Sequence, residues 1–319
     1  MKYVIYGAGA IGGLVGALLA EAGEDVVLIA RGAHREVMER DGLLLETPEG
    51  SRRIRVPVAA DPAGAGIGSR DVVMLAMKSQ HTGAALDELA RTLGRHTPIV
   101  CLQNGVDNER AAQRLFSHVY AVCVMCPATH LEPGVIVASS SPVPGLLDIG
   151  RYPAGIDANT RTFAAALTDA TFESVERPDI MRWKYRKLLA NIANAVEVVC
   201  APPGRAQVRD LARSEAEACL RAAGIDYASE EEDTARRGDL IEVKPVGGKR
   251  RQGGSTWQSI ERGAGSVETD YLNGEIVLLG RLHAIPTPVN AALQESAARV
   301  ALGRAEPGYM SVEEFLDDV

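Results

Sequence analysis

Val4-Ile5-Tyr6-Gly7-Ala8-Gly9-Ala10-Ile11-Gly12 runs from a short apolar stretch straight into a G-x-G-x-x-G turn. The apolar residues read as a buried strand, and Ala10–Ala22 as the helix after it. Each glycine answers a separate need. Gly7 permits the tight turn, Gly9 lets backbone approach a pyrophosphate, and Gly12 lets helix pack on strand. The unpaired N–H groups at the helix start, together with the helix dipole, attract phosphate charge. Gly7, Ala8, Gly9, Ala10, Ile11 and Gly12 are the candidate phosphate-binding residues, against the plainer reading of a glycine-rich turn without a ligand. A second apolar run at Val26–Ala30 supplies the strand that the motif requires next.

Outward from this turn, apolar runs at Val72–Ala76, Ile99–Leu102 and Val119–Met125 continue the pattern, with helix-like segments at Ser79–Leu93 and Asn108–Phe116 between them. The alternation predicts an α/β fold, a Rossmann-type, doubly wound parallel sheet covered on both faces. Leu43–Glu46 and Ile54–Val56 flank Pro48-Glu49-Gly50 and read as an inserted hairpin. From about residue 178 the texture changes. Asp179–Val199, Gln207–Ala223, Ser229–Val243, Thr269–Arg281 and Val289–Leu302 read as helices, and Thr171–Val175 is the last strand signal. The expected division is a dinucleotide-binding domain over 1–177 and an all-helical domain over 178–319. Val246–Ser255 (VGGKRRQGGS) is a basic loop that serves either as a solvated linker or as a substrate lid.

Composition excludes several classes. With 46% hydrophobic residues the 319-residue chain is not mainly disordered. A net charge of −8 is a poor basis for binding nucleic acid or an anionic membrane. The most apolar stretch, Ala8 to Ala20, is too short and glycine-rich to span a bilayer. Met1-Lys2 runs directly into the first strand without a signal peptide, and five cysteines suit no disulfide framework, so a cytoplasmic protein is expected. Cys123 and Cys126 form a C-x-x-C inside an apolar run and read first as core cysteines, with redox or metal use the alternative. The six histidines show no paired-ligand spacing, and no metal site is expected.

The end of the second strand selects the nucleotide. NAD-binding versions usually carry an acid there, whereas this chain reads Leu28-Ile29-Ala30-Arg31-Gly32. Arg31 can meet a 2′-phosphate with charge-assisted bonds, which predicts NADPH as cofactor unless Arg31 is only a solvated side chain. A bound nicotinamide makes the reaction hydride transfer, and carbonyl reduction then also needs a proton donor. Lys184 and Lys187 lie on one helical segment, and Lys187 shares a face with Asn191 four residues on. A lysine whose pKa is lowered by desolvation could donate that proton. Glu268, at the start of Glu268-Thr269-Asp270-Tyr271-Leu272-Asn273-Gly274, is a second candidate; its plainer role is an acid in the first turn of a helix.

Taken in order, Gly7–Gly12, Lys78-Ser79-Gln80, Gln103-Asn104-Gly105, Lys187…Asn191, and Ser255-x-x-Gln258 followed by Glu268–Gly274 resemble the ketopantoate reductase (2-dehydropantoate 2-reductase) family over about residues 3–290. The resemblance implies an NADPH-binding Rossmann domain, a helical second domain, an active site in the cleft and a role in pantothenate synthesis. It implies Lys187 as general acid with Asn191 beside it, Lys78 at the cofactor, and Asn104 touching both nicotinamide ribose and substrate. It further implies Ser255 on the substrate and Glu268 on the cofactor near the nicotinamide.

Departures from the family pattern fall on the substrate side. Thr256-Trp257-Gln258-Ser259 stands where members often have Met-Leu-Gln-Asp, and Ala195 occupies the place of a second helix asparagine, with Asn194 one step away. These leave a second expectation open, the reduction of another bulky or aromatic 2-oxo acid. A third expectation, from a different class, is a non-catalytic NADPH-binding sensor. A homodimer through an apolar face of the helical half also stays open. The acidic C-terminus, Glu313 to Asp318, gives no preference between docking and fraying.

Overall fold

The apolar run after Met1 forms the strand Lys2–Tyr6 in the middle of a seven-stranded sheet, in the computed structural model, which describes every residue of the chain except Ala264. The sheet order is Leu146–Arg151, Val119–Met125, Ile99–Cys101, Val72–Leu75, Lys2–Tyr6, Asp25–Ile29, Val58–Ala59. All pairings are parallel except the one that adds Leu146–Arg151 to the edge. The chain winds away from Lys2–Tyr6 in both directions, so the carboxyl end of that strand is the topological switch point where such sheets bind ligands.

Side chains alternate between the two faces, as the strand period requires. Tyr3 and Ile5 pack with Leu14, Leu18 and Phe163, whereas Val4 and Tyr6 pack with Leu86, Leu89 and Phe116. Each fully buried Leu, Ile or Val contributes about 1.5–3 kcal/mol. The expected hairpin is present as Leu43–Thr47 and Gly50–Ile54, within a second sheet that also holds Val135–Ala138 and Ala128–Thr129.

The chain divides into two units, Met1–Lys184 with Ser229–Arg251, and Tyr185–Ala228 with Gln252–Val319. The join thus falls inside the helix Ile180–Asn191 rather than near 177, and 229–251 returns to the first unit. That return has a physical cause. The expected helix over Ser229–Val243 stops at Arg237, where Gly238 takes a positive φ of 44°, and the chain continues as the strand Ile241–Val243 paired with Ser140–Pro142. Arg236 on the short helix also bonds to Asp148 of the sheet. Thr171–Val175 is not a strand of its own. Thr171 turns at φ 68°, and the following residues accept isolated backbone bonds from Leu147 and Ile149.

The second unit is built of helices. Ile180–Asn191 and Asn194–Val199 are two helices, not the single one expected over Asp179–Val199. Arg205–Ala222, Ser255–Glu261, Asn273–His283, Pro288–Ala301 and Val312–Asp317 follow. Val196, Val199, Val208, Ala212, Ala216, Leu220, Ile276, Leu293 and Ala297 are buried among them. The acidic C-terminal segment docks: Ser311 caps its helix and Phe315 is buried. Among the described residues no helix is long and apolar enough to cross a membrane, and no group of His, Cys, Asp and Glu could hold a metal ion. Cys123 and Cys126 each donate a thiol hydrogen bond to a backbone carbonyl, of Trp183 and Pro144.

Candidate active site

The glycine turn is held as its sequence requires. Gly7 has φ 105°, and a Cβ there would stand 2.7 Å from the Met77 nitrogen. A Cβ on Gly12 would stand 2.1 Å from the Gly7 carbonyl oxygen. Gly7 N–H and Ala8 N–H both donate to the Ile29 carbonyl at 3.2 Å, which pins the turn to the neighbouring strand. At Gly9, by contrast, a Cβ would meet nothing within 4 Å. The helix Ala10–Glu21 begins without a side-chain cap and without an acid in its first turn. An open approach to uncapped N–H groups is what a pyrophosphate requires, so the residues fit a dinucleotide.

Two further side chains border this turn. His34 bridges it to the second sheet: its Nε2 lies 2.7 Å from the Ala8 carbonyl oxygen, and its Nδ1 accepts from Gly134 N–H at 2.8 Å. Arg31 caps the end of Asp25–Ile29 and is largely exposed. Its Nη2 donates to Tyr6 Oη at 3.2 Å and lies 3.8 Å from a carboxylate oxygen of Glu88.

Lys78 and Asn104 stand on two strand-end turns that are laced together. Gln103 Nε2 donates to the Met77 carbonyl and to Thr82 Oγ1, each at 2.8 Å. Thr82 in turn donates to Asn108 Oδ1, and Asn108 Nδ2 donates to the Asn104 carbonyl at 2.9 Å and to Ser79 Oγ at 3.1 Å. The lacing fixes the backbone of Asn104, while its side-chain oxygen is buried with no hydrogen-bond partner. Lys78 is half-buried at the mouth of the same turns.

The two lysines of Ile180–Asn191 have different surroundings. Lys184 is buried, donating to the Gln103 carbonyl at 2.9 Å and to the Glu109 carboxylate. Burial pushes the Glu109 carboxyl up, against the pull of the Lys184 ammonium. Such a lysine holds a backbone turn in place and has no exposed route for proton delivery. Lys187 is half-buried, and Asn191 is buried with its side-chain nitrogen lacking a partner.

Ser255 opens a short helix whose second, fourth and fifth residues, Thr256, Gln258 and Ser259, are buried. Ser259 Oγ donates to the Ser255 carbonyl, so that hydroxyl serves the helix. Gly254 N–H donates to Glu197, and a Cβ on Gly254 would stand 3.2 Å from Asn194 Oδ1. Asn194 therefore faces the approach to Ser255, whereas Ala195 is fully buried. Trp257 folds back over Gly253, where a Cβ would stand 2.5 Å from the indole. Glu268 is buried at the start of a 3-10 turn. The break at Ile192 is held by Asn273, which donates to its carbonyl and to Asn290; Asn290 donates in turn to Ala212 and Glu215.

The first unit thus carries Gly7–Gly12, Arg31, Lys78 and Asn104, and the second carries Lys187, Asn191, Ser255 and Glu268. Glu88, Thr82, Asn108 and Glu109 carry no signal in the sequence. Lys184 is visible in the sequence three residues before Lys187, but its buried partners Gln103 and Glu109 are not.

Comparison with known proteins spans both units. Residues 3–154 match the family model described as ketopantoate reductase PanE/ApbA, and residues 179–300 match its C-terminal counterpart. A 2-dehydropantoate 2-reductase of Pyrococcus horikoshii is 30% identical over 302 residues, covering 92% of this chain and 95% of the relative. One of Mesorhizobium japonicum is 31% identical over 342 residues, covering 95% and 99%. The crystal structure of a PanE/ApbA family ketopantoate reductase from Ralstonia eutropha superposes with a TM-score of 0.78 at 28% identity, covering 94% of this chain and 98% of that one. D-mandelate dehydrogenase with NADH and anilino(oxo)acetate gives a TM-score of 0.77 at 20% identity, covering 94% and 98%, a likeness of fold. With both family models matched in order along one chain, and relatives matched over nearly their full length, this protein belongs to the ketopantoate reductase family.

Proposed function

We propose that the chain reduces 2-dehydropantoate to pantoate with NADPH, in pantothenate synthesis, and that Lys187 donates the proton. The observation that carries the reading is the contrast between the two lysines within a ketopantoate reductase framework. Lys184 is locked into a buried pair with Glu109, and half-buried Lys187 stands one turn before Asn191. Gly7, Ala8, Gly9, Ala10, Ile11 and Gly12 hold the pyrophosphate through backbone N–H groups, and Arg31 meets the 2′-phosphate. NADPH supplies the hydride when bound. Lys78, Asn104 and Glu268 border the cofactor, and Asn104 also reaches the substrate. Asn191 and Ser255 bind the substrate. Lys187 Nζ delivers its proton to the carbonyl oxygen as negative charge develops there, and the product is the 2-hydroxy acid.

Trp257 favours a second reading, a bulkier or aromatic 2-oxo acid, because the indole lies over Gly253 on the approach to Ser255. One experiment tests both. NADPH oxidation is followed with 2-dehydropantoate and with a panel of branched and aromatic 2-oxo acids, for wild type and Lys187→Ala. Loss of a general acid predicts roughly a 10²–10⁴-fold fall in kcat, with NADPH binding retained. Preference for an aromatic acid moves the assignment to the second reading. NADPH binding without turnover on any member of the panel defeats both and leaves a nucleotide-binding sensor.

A further inference from the structure

The strand Asp25–Ile29 ends without the acid that usually bonds a ribose hydroxyl, yet the fold brings one there from elsewhere. Glu88, on the helix Thr82–Thr92, points its carboxylate at the same spot, 3.8 Å from Arg31 Nη2. It is not a swinging surface group, because Tyr6 Oη donates to it at 2.5 Å. Tyr6 is the last residue of the central strand and is buried, directly before Gly7. Tyr6, Arg31 and Glu88 thus form one connected cluster beside the phosphate-binding turn, with Arg31 exposed at 73% and Glu88 at 31%.

We infer that Glu88 is a specificity-determining residue, which lowers the preference for NADPH over NADH below the level Arg31 alone would set. The inference rests on the proposed role of Arg31 at the 2′-phosphate. A 2′-phosphate approaching Arg31 gains charge-assisted bonds to the guanidinium but meets the fixed carboxylate as a like charge. A 2′-hydroxyl in the same place carries no charge to repel and can donate to that carboxylate. Tyr6 keeps Glu88 on station at working pH. Burial, then the bond to Glu88, pushes the tyrosine up to about 12, so its hydroxyl remains a donor.

The test is a titration of wild type, Glu88→Gln and Arg31→Ala with NADPH, NADH, adenosine 2′,5′-bisphosphate and AMP, at low and high salt. The two fragments report the adenosine end alone. Glu88→Gln is expected to tighten NADPH and the bisphosphate by roughly two- to fivefold, the scale of a partly exposed charge effect, with NADH and AMP unchanged or weaker. The gain should shrink at high salt, since a through-space charge effect is screened and a change of shape is not. Arg31→Ala should weaken NADPH and the bisphosphate selectively. If it does so while Glu88→Gln leaves the ratio of the two cofactors where it was, the role of Glu88 is overturned and that of Arg31 stands. If Arg31→Ala weakens all four ligands equally, the 2′-phosphate does not lie at Arg31 and both assignments fall.

Discussion

Lys184 and Glu109 form an ion pair whose side chains are 2% and 0% exposed, and the same ammonium donates to the Gln103 carbonyl. Two charges withdrawn from water repel a change to either partner more than they reward the pair itself. Lys184→Met alone should therefore cost about 3–5 kcal/mol, because it strands a buried carboxylate. Lys184→Met with Glu109→Leu should recover much of that loss. Urea unfolding of the four proteins of the cycle gives the coupling. Additive losses would mean that the pair is not a unit. The double variant separates this structural role from catalysis: a refolded core with turnover intact fits a lysine that only holds the Gln103 turn.

Gly12 is the glycine whose replacement the turn can least absorb. A Cβ there would stand 2.1 Å from the Gly7 carbonyl oxygen and 2.8 Å from the Ala76 Cβ. Neither neighbour can swing away, since one is backbone and the other is a Cβ fixed to backbone just past the strand Val72–Leu75, where Ala76 N–H donates to the Tyr6 carbonyl. Gly12→Ala should push the helix off the strand and weaken both NADPH and NADH, unlike the selective loss expected of Arg31→Ala. Gly9→Ala tests the opposite case, because its Cβ would enter open space. That variant should fold with wild-type stability and lose nucleotide affinity. Calorimetric melting beside nucleotide titration distinguishes them, and a Gly9→Ala protein that binds as wild type would remove Gly9 from the phosphate contact.

The legible parts of the molecule were the local ones. The glycine turn, its strand and its helix follow from residues 4–22 alone, and the alternating apolar runs located five strands of the large sheet. The helix Gly32–Asp41 escaped notice because only Met38 on it is buried, so it carries almost no apolar stripe. Ala158–Asp169 was missed too, although Asp157 and Thr160 form a capping box that marks its start. Charge-rich 229–243 imitated one helix, since nothing local announces that Ile241–Val243 will pair with Ser140–Pro142. At the site the limit was distance along the chain. Glu88 lies 57 positions from Arg31 and Glu109 lies 75 from Lys184, separations at which periodicity and motif spacing carry no information.

Tyr120 and Asp157 tie stability to pH at both extremes. Tyr120 Oη donates to Asp157 Oδ2 at 2.9 Å. Burial, with Asp157 reinforcing it and Asn159 opposing, pushes Tyr120 from 10.0 up to about 12. Asp157 is held below its usual 3.8: burial alone would raise it, but Thr160 N–H and the Tyr120 hydroxyl together outweigh that. For the tyrosine, the raised folded value means stability is full below pH 10 and drains away between 10 and 12. For the aspartate, the depressed value means stability is present above 3.8 and is lost as pH falls below it. Tyr120→Phe should flatten the alkaline loss and, by letting the Asp157 carboxyl rise toward its usual 3.8, shrink the acid loss as well. Unfolding midpoints measured across the full range check both limbs, and unchanged limbs would exclude the pair as their source.

Asp148 is one of the anchors that hold 229–251 to the first unit, through Arg236. Its carboxylate is 5% exposed, accepts from Arg236 at 2.6 and 2.9 Å and from Arg177 at 3.0 Å, and so satisfies two guanidinium groups at once. Arg177 in turn lies 4.0 Å over the Trp183 ring. Arg236→Ala removes the tie from the returning segment and leaves Asp148 half satisfied, at a cost of about 3 kcal/mol. Asp148→Asn keeps the shape but takes the counter-charge from Arg177 and leaves Arg236 only the longer contact to Glu173 at 3.5 Å, and should cost at least as much. The tether also makes a local prediction. With Arg236 replaced, the pair Arg182–Glu232 still holds the start of the segment, whereas beyond Gly238 it keeps only backbone pairing around Ile241–Val243, so protease cleavage within 238–251 should accelerate before global unfolding does. Cleavage mapped by mass spectrometry at native pH reads this directly. Acceleration spread evenly over the chain would mean that Arg236 stabilises the whole unit and does not act as a tether.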